Sequence, residues 1–377
     1  MARVLFVAGD PSGDERAAEV ARELKTLWPG VEISALGGAA LRGVSDRFLL
    51  DLVAEGVMGF LEPLKKIPRF AKILEGILRP FLKEWSPDVV VPTDFYGFNR
   101  FVARAAKDAG RRVVYYVSPQ VWASRPGRVG ILKGVIDRML VLFPFEEKIY
   151  RDAGVPVTFV GHPLLDAVPE PDPHPPLRVE PVIGLLPGSR PSEVRRHLPL
   201  FLAAADRLVK HRPGLRFVLF AAPNLSNDFY DLLLGGDPKR PYRVELVRDE
   251  KYQWRAGLDL ALTCSGTATL ENALLGLPMI VVYKTSWITY ALARALVRVK
   301  HIAMPNVLAG REIVPEKIQS AATPEAIAGE VENLLNDASL RRRVRRDLLG
   351  LRVALGGAGA ARRAAEAIKA EAQGASA

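Results

Sequence analysis

Short apolar runs bounded by glycine, proline or aspartate alternate with segments of helical periodicity along most of the chain. Residues 4–8 (VLFVA) stop at Gly9-Asp10-Pro11-Ser12-Gly13-Asp14, and Ala17, Ala18, Ala21, Leu24 and Leu27 then return at helical spacing. The run 31–38 (VEISALGG) and the buried-type run 88–92 (DVVVP) read as strands, and 99–110 reads as a helix. Strands follow at 112–118 and 155–163, with a helix and strand between them over 135–143. Strands that alternate with helices need crossover connections, so this half predicts a parallel sheet covered on both faces.

Residues 166–180 (DAVPEPDPHPPLRVE) carry proline at a density that suits neither helix nor central strand. The same rhythm then restarts. Strands are expected at 182–187, 216–223, 244–247, 259–264 and 278–283, and Leu270, Ala273, Leu274 and Leu277 mark a helix between the last two. From Thr323 the chain is helical in character, with a last helix and a frayed tail. The expected organisation is an α/β domain over 1–168, a linker over 169–180, a second α/β domain over 181–345, and a C-terminal helix and tail over 346–377. Two such domains would face each other across a cleft.

In open parallel sheets, ligands gather beyond the carboxyl ends of the strands. Asp10, Ser12, Asp14, Asp94, Ser118, Gln120 and His162 all fall at such ends in the first half. Asp94, beside Phe95 and Tyr96, is either a general base or a turn aspartate. Asp10 and Asp14 could orient a sugar hydroxyl or cap the first helix, and His162 could contact ligand or pack. In the second half, Gly188-Ser189-Arg190 lies where a strand passes into a helix. It is a plain turn or an anion cradle of backbone N–H groups reinforced by a guanidinium. Ser265-Gly266-Thr267 repeats that arrangement after a longer apolar strand. Glu271 lies one turn later on the same helix side, where a carboxylate can take ribose hydroxyls. The alternative for this segment is simple capping.

Charge narrows the ligand. Lys plus Arg is 52 and Asp plus Glu is 42, a net 52 − 42 = +10, which suits an anion. The single cysteine, Cys264, reads as core, and the five scattered histidines make a metal site unexpected. No secretion signal or spanning segment is evident, so a cytoplasmic location is expected. Two basic amphipathic stretches, 57–85 and 286–301, suit either a lipid surface or packing on a sheet. In the first, the apolar stripe is Leu64, Ile67, Phe70, Leu74, Ile77, Leu78, Phe81 and Trp85. The basic run 341–347 has no nucleic-acid-reading motif beside it, and no nucleic-acid partner is expected.

Taken in order, GDPSGD (9–14), VMGFLEPLKKIP (57–68), YYVSPQVWASRPGRV (115–129) and 142–166 resemble one family, the lipid-A-disaccharide synthases. LPGSRPSEV (186–194), SGTATLENALLGLPMIVVYK (265–284) and MPNVLAGREIVPEKIQ (304–319) extend the resemblance over nearly the whole chain. It implies an inverting glycosyltransferase of the GT-B type, with two Rossmann-like domains. The implied reaction joins UDP-2,3-diacylglucosamine to 2,3-diacylglucosamine 1-phosphate, releases UDP and needs no metal. It implies Asp94 as base, Arg190 on phosphate, the turn 265–267 as diphosphate cradle, Glu271 on ribose, and Asn306 near the nucleotide. Contact with the inner face of the cytoplasmic membrane and a homodimer formed by C-terminal exchange are also implied. Asp10, Gly97 and Ser124 depart from the family pattern, which often has Glu, a second acid and Trp there. The alternative is another GT-B enzyme using a UDP-sugar, with a different acceptor or as a UDP-N-acetylglucosamine 2-epimerase.

Overall fold

The computed structural model describes residues 2–57, 63–123, 126–172, 178–235, 241–249, 251–296 and 299–374, with backbone alone at 56–57, 63–67, 288, 292–293 and 295–296. Ser124, Arg125 and His174 therefore lie outside the described residues, as do the side chains of Leu64, Lys65, Lys66 and Ile67. The chain divides into two units, one of residues 1–163 together with 355–377 and the other of residues 164–354.

Seven parallel strands build the first unit: β1 (Arg3–Ala8), β2 (Glu32–Gly37), β3 (Arg47–Asp51), β4 (Val89–Thr93), β5 (Arg112–Tyr116), β6 (Arg138–Val141) and β7 (Val157–Phe159). Their order is β3-β2-β1-β4-β5-β6-β7, so the direction of winding reverses between β1 and β4. The unbroken apolar run of β1 has its reason in this position, because a central strand is covered on both faces. Its alternate residues serve two cores. Leu5 and Val7 join Val90, Val102, Tyr115 and Met139 on one face. Val4 and Phe6 join Ile33, Val91, Tyr116 and the helix Pro11–Leu27 on the other.

On that second face the helix Ala360–Ala372 also packs, through Ala364, Ala365 and Ile368. Its Glu371 is 7% exposed and accepts from Arg112 at 2.7 Å and Arg138 at 3.0 Å. The preceding helix, Ala338–Ala354, belongs to the other unit. The expected tail 346–377 is thus shared between two bodies.

The stripe of 57–85 is shared in another sense. Its carboxyl half runs through Pro63–Ile73, a π-turn at Leu74–Leu78 and Arg79–Glu84. Leu78, Phe81 and Trp85 are at most 6% exposed and belong to the first unit's core. A lipid-facing role for these three is therefore corrected to sheet packing. Among the described residues no helix is long and apolar enough to cross a membrane.

The second unit repeats the winding with β8 (Val182–Leu186), β9 (Arg216–Phe220), β10 (Val244–Val247), β11 (Leu260–Cys264), β12 (Met279–Tyr283) and β13 (Glu316–Ile318). The order is β10-β9-β8-β11-β12-β13, again reversing between its first and fourth strands. Both units are Rossmann-like α/β layers.

Candidate active site

At the reversal in the second sheet, the turns after β8 and β11 lie side by side and open a cavity of about 390 Å³. Gly188, Ser189, Arg190, Ser265, Gly266, Thr267 and Glu271 all line it. Gly188 holds φ at +122°, and a Cβ there would lie 2.7 Å from Glu193 Cβ, so only glycine fits. Glu193 also organises the turn. Its Oε2 accepts from the N–H groups of Ser189 (3.2 Å) and Arg190 (3.3 Å), while Oε1 accepts from Arg190 at 2.6 Å. A carboxylate of the chain thus occupies amides that suit a phosphate oxygen. Gly266 and Thr267 are exposed at the mouth, and Ser265 Oγ is committed to Ile302 O at 3.0 Å.

Glu271 accepts from the Tyr252 hydroxyl at 3.0 Å and from Arg255, which also pairs with Asp249 at 3.4 Å. Arg255, Asp249 and Arg248 line the same cavity. The sequence reading missed these three because they lie in a polar stretch, 248–255, without a motif. Only the folded pairing of Arg255 with Glu271 reveals them. Cys264 is 5% exposed, and burial pushes its thiol up to about 12, which fits the expected core residue.

Asn306 does not reach this cavity. It is fully buried, and Nδ2 donates to Val314 O (2.8 Å) and Glu316 Oε1 (2.8 Å), while Oδ1 accepts from the N–H groups of Ile313 (2.7 Å) and Val314 (3.0 Å). That exhausts an amide's hydrogen-bonding capacity. The expected nucleotide contact is corrected to a structural role.

At the matching reversal in the first sheet, Asp10 follows β1 and Asp94 follows β4. Asp94 and Phe95 both take left-handed backbone, with φ of 47° and 43°. Non-glycine residues adopt it at a cost of roughly 1–3 kcal/mol each. The surroundings enforce it. Asp94 N–H donates to Tyr116 O (2.9 Å), and its carbonyl accepts from the Tyr115 hydroxyl (2.6 Å) and buried Asn99 Nδ2 (3.0 Å). Gly9 completes the fit, because a Cβ there would lie 2.2 Å from the Phe95 ring. The Asp94 carboxyl is raised to about 6, first by burial and then by the Asp10 charge, with Arg16 and the Phe95 N–H opposing. Its Oδ1 accepts that N–H at 2.8 Å.

The other expected residues divide by partner. Asp10 caps the first helix through Gly13 N–H at 2.8 Å. Asp14 is 4% exposed and accepts from the N–H groups of Gly38 (2.7 Å) and Ala40 (2.9 Å), so its carboxylate is committed to the start of the short helix Ala39–Arg42 rather than to a ligand. Ser118 is likewise buried, with Oγ on Pro119 O (2.9 Å) and Tyr150 Oη (2.9 Å). His162 is buried beside Phe143, and burial holds its imidazole down at about 3, hence neutral. Ser12 and Gln120 are exposed. Glu146, which carried no sequence signal, is 2% exposed, and burial raises its carboxyl to about 7 against hydrogen bonding from Phe143, Ser118 and Trp122. Among the described residues no group of three or more His, Cys, Asp or Glu is arranged to hold a metal.

A family model for lipid-A-disaccharide synthetase matches residues 4–370. A lipid-A-disaccharide synthase of Myxococcus xanthus is 40% identical over 373 residues, covering 97% of this chain and 96% of that protein. One from an Anaeromyxobacter species is 41% identical with the same coverage. Among solved structures, MurG of Acinetobacter baumannii aligns with a TM-score of 0.64 at 15% identity, covering 98% and 99% of the two chains. A UDP-GlcNAc 2-epimerase of Neisseria meningitidis, bound to UDP-GlcNAc, gives 0.58 at 15%, covering 97% and 98%. These structural likenesses place the fold with the GT-B enzymes. The sequence matches place the chain more narrowly: it belongs to the lipid-A-disaccharide synthetase family.

Proposed function

We propose that this protein transfers a 2,3-diacylglucosaminyl group from its UDP derivative to O6 of 2,3-diacylglucosamine 1-phosphate, releasing UDP and forming a β-1,6 disaccharide 1-phosphate. Family membership supplies the reaction, and the observation that carries the mechanism is Asp94. A half-buried carboxylate at the strand reversal, raised to about 6, is ionised at neutral pH yet basic enough to draw a proton from a hydroxyl.

In the transfer, O6 of the acceptor attacks the anomeric carbon of the donor as Asp94 takes the O6 proton. The bond from that carbon to the diphosphate oxygen breaks, and UDP leaves from the opposite face, so the configuration inverts. Negative charge growing on the departing diphosphate would be met by Arg190 and by the amides of the turns at 188–190 and 265–267. Glu271 would hold the ribose. Glu193 is the group that the diphosphate must replace at the Ser189 and Arg190 amides.

Acylated substrates reside in membranes, and the helix Trp287–Leu296 offers a means of reaching them. Trp287 is 67% exposed with Tyr290 packed edge-on at 6.0 Å, and Arg294 and Lys300 are exposed nearby in sequence. Aromatic rings with flanking cations suit the headgroup region of a membrane's inner face.

The test is a coupled assay of UDP release and product mass, with both acylated substrates in mild detergent. A β-linked acylated disaccharide 1-phosphate in step with UDP is expected. Release of UDP without disaccharide, or no turnover with UDP still bound, would overturn the reading.

A further inference from the structure

A pair of arginines in the first unit has no counter-ion among the described residues. The guanidinium of Arg128 stacks 4.4 Å from the centre of the Tyr96 ring, and that of Arg100 approaches the same ring at 5.9 Å. Neither forms an ion pair among the described residues, although both are only partly exposed. Arg100 Nε and the Tyr96 hydroxyl are buried atoms without a hydrogen-bond partner. Buried donors are rarely left unsatisfied, and two cations held together by one ring repel each other until an anion joins them.

The location gives that anion an identity. Tyr96 opens the helix Tyr96–Asp108 directly beyond Asp94 and Phe95. Gly97, the exposed residue of a first turn otherwise largely buried, leaves open space where a side chain would stand, since a Cβ there meets nothing within 4 Å. Tyr115, whose hydroxyl is 2.6 Å from the Asp94 carbonyl, feels both the Asp94 and the Arg128 charges. Arg128 and Arg100 meet at the ring of Tyr96, two residues beyond Asp94. A base and a cationic pair on one sheet end suit an acceptor with a hydroxyl at one end and an anion at the other.

We infer that Arg100 and Arg128, with the Tyr96 hydroxyl, bind the phosphate monoester of the acceptor and so select a phosphorylated glycolipid over its unphosphorylated counterpart. This rests on the transferase reading and adds to it the group that fixes the acceptor's far end. Planar guanidinium groups bind phosphate through paired N–H donors, which lysine reproduces poorly.

The experiment compares wild type, Arg100→Ala, Arg128→Ala and Arg128→Lys on diacylglucosamine 1-phosphate and on the same acceptor lacking phosphate, in neutral detergent. Wild type is expected to favour the phosphorylated acceptor, and each alanine variant to lose about tenfold or more of that preference. The loss should fall in the acceptor KM, with UDP affinity by calorimetry unchanged. Arg128→Lys, which keeps charge and stem, controls for folding and should lose an intermediate share. An unchanged preference in the variants would overturn the inference. A second arm adds anionic phospholipid to the micelles. If the variants lost only stimulation by that lipid and kept the substrate preference, the pair would read a membrane headgroup and the inference would fall. A wild type that released UDP but made no disaccharide from either acceptor would instead bring down the transfer reading, and the inference with it.

Discussion

Asp94 carries two opposed consequences of one environment. Asp94→Asn should lower kcat about 10²–10⁴-fold while UDP binding persists, measured by turnover and calorimetry. In wild type, kcat should rise with pH through about 6 as the carboxyl ionises. Stability runs the other way. The folded carboxyl titrates near 6 against 3.8 for an ordinary aspartate, so between those values the native state binds the extra proton. Wild type therefore loses stability as pH rises from about 4 to about 6. Asp94→Asn should melt higher than wild type above pH 6, with the gain vanishing near pH 4. Its position at a strand end was legible in the sequence, because DVVVP and Thr93 followed by Asp94 and two aromatics mark where a buried strand stops. The strained backbone was not. Aspartate and phenylalanine carry no left-handed signature, and the bonds from Tyr115 and Asn99 exist only once β4, β5 and the following helix have packed. Asn306 failed for the converse reason. A sequence shows that an amide is present but not that its four bonds are already spent on residues 313–316.

For elements, the turn at 188–190 is the sharpest case. Its glycine and its place between strand and helix were readable, but Glu193 as the occupant of its amides was not, because a glutamate in a first helical turn is ordinary capping. Gly188→Ala should weaken UDP binding roughly tenfold or more, since a Cβ forces either the backbone or Glu193 to move. Arg190→Ala should weaken it as well, and calorimetry separates the two effects from folding when paired with melting curves. Apolar alternation exposed the central strands, yet β3 and β13 escaped it. These are edge strands, half exposed, and β13 reads Glu-Lys-Ile, with too little apolar character to register. From Phe70 to Trp85 the stripe packs on the first unit's core, but its partner was undetermined in the sequence, because a sheet and a lipid surface ask for the same apolar spacing. Trp287 now gives the cleaner test. Trp287→Ala should reduce flotation with anionic liposomes, and equal flotation of both proteins would remove that helix from membrane contact.

At the scale of the molecule, the restart of the α/β rhythm after residue 180 made two bodies legible. The return of the C-terminal helix to the first of them was hidden, since an alanine-rich face can pack on almost any helix. Glu371 fixes where it goes. Glu371→Ala removes the partner of the mostly buried Arg138 and should cost the first unit about 3 kcal/mol. A melting transition assigned to that unit should move, while UDP affinity stays. The chain leaves the first unit after Pro163 and re-enters at Leu355, and His162 N–H donates to Leu355 O at 3.1 Å, so exit and re-entry lie side by side. This sets an order of assembly during synthesis. Emerging from the ribosome, the first unit must wait, missing one helix from its face, until every residue of the second has been made. The second unit is contiguous and has no such wait. A chain halted before Leu355 should yield a second unit that binds UDP and a first unit open to protease, so damage to the segment after Leu355 would surface as failure at the beginning of the fold.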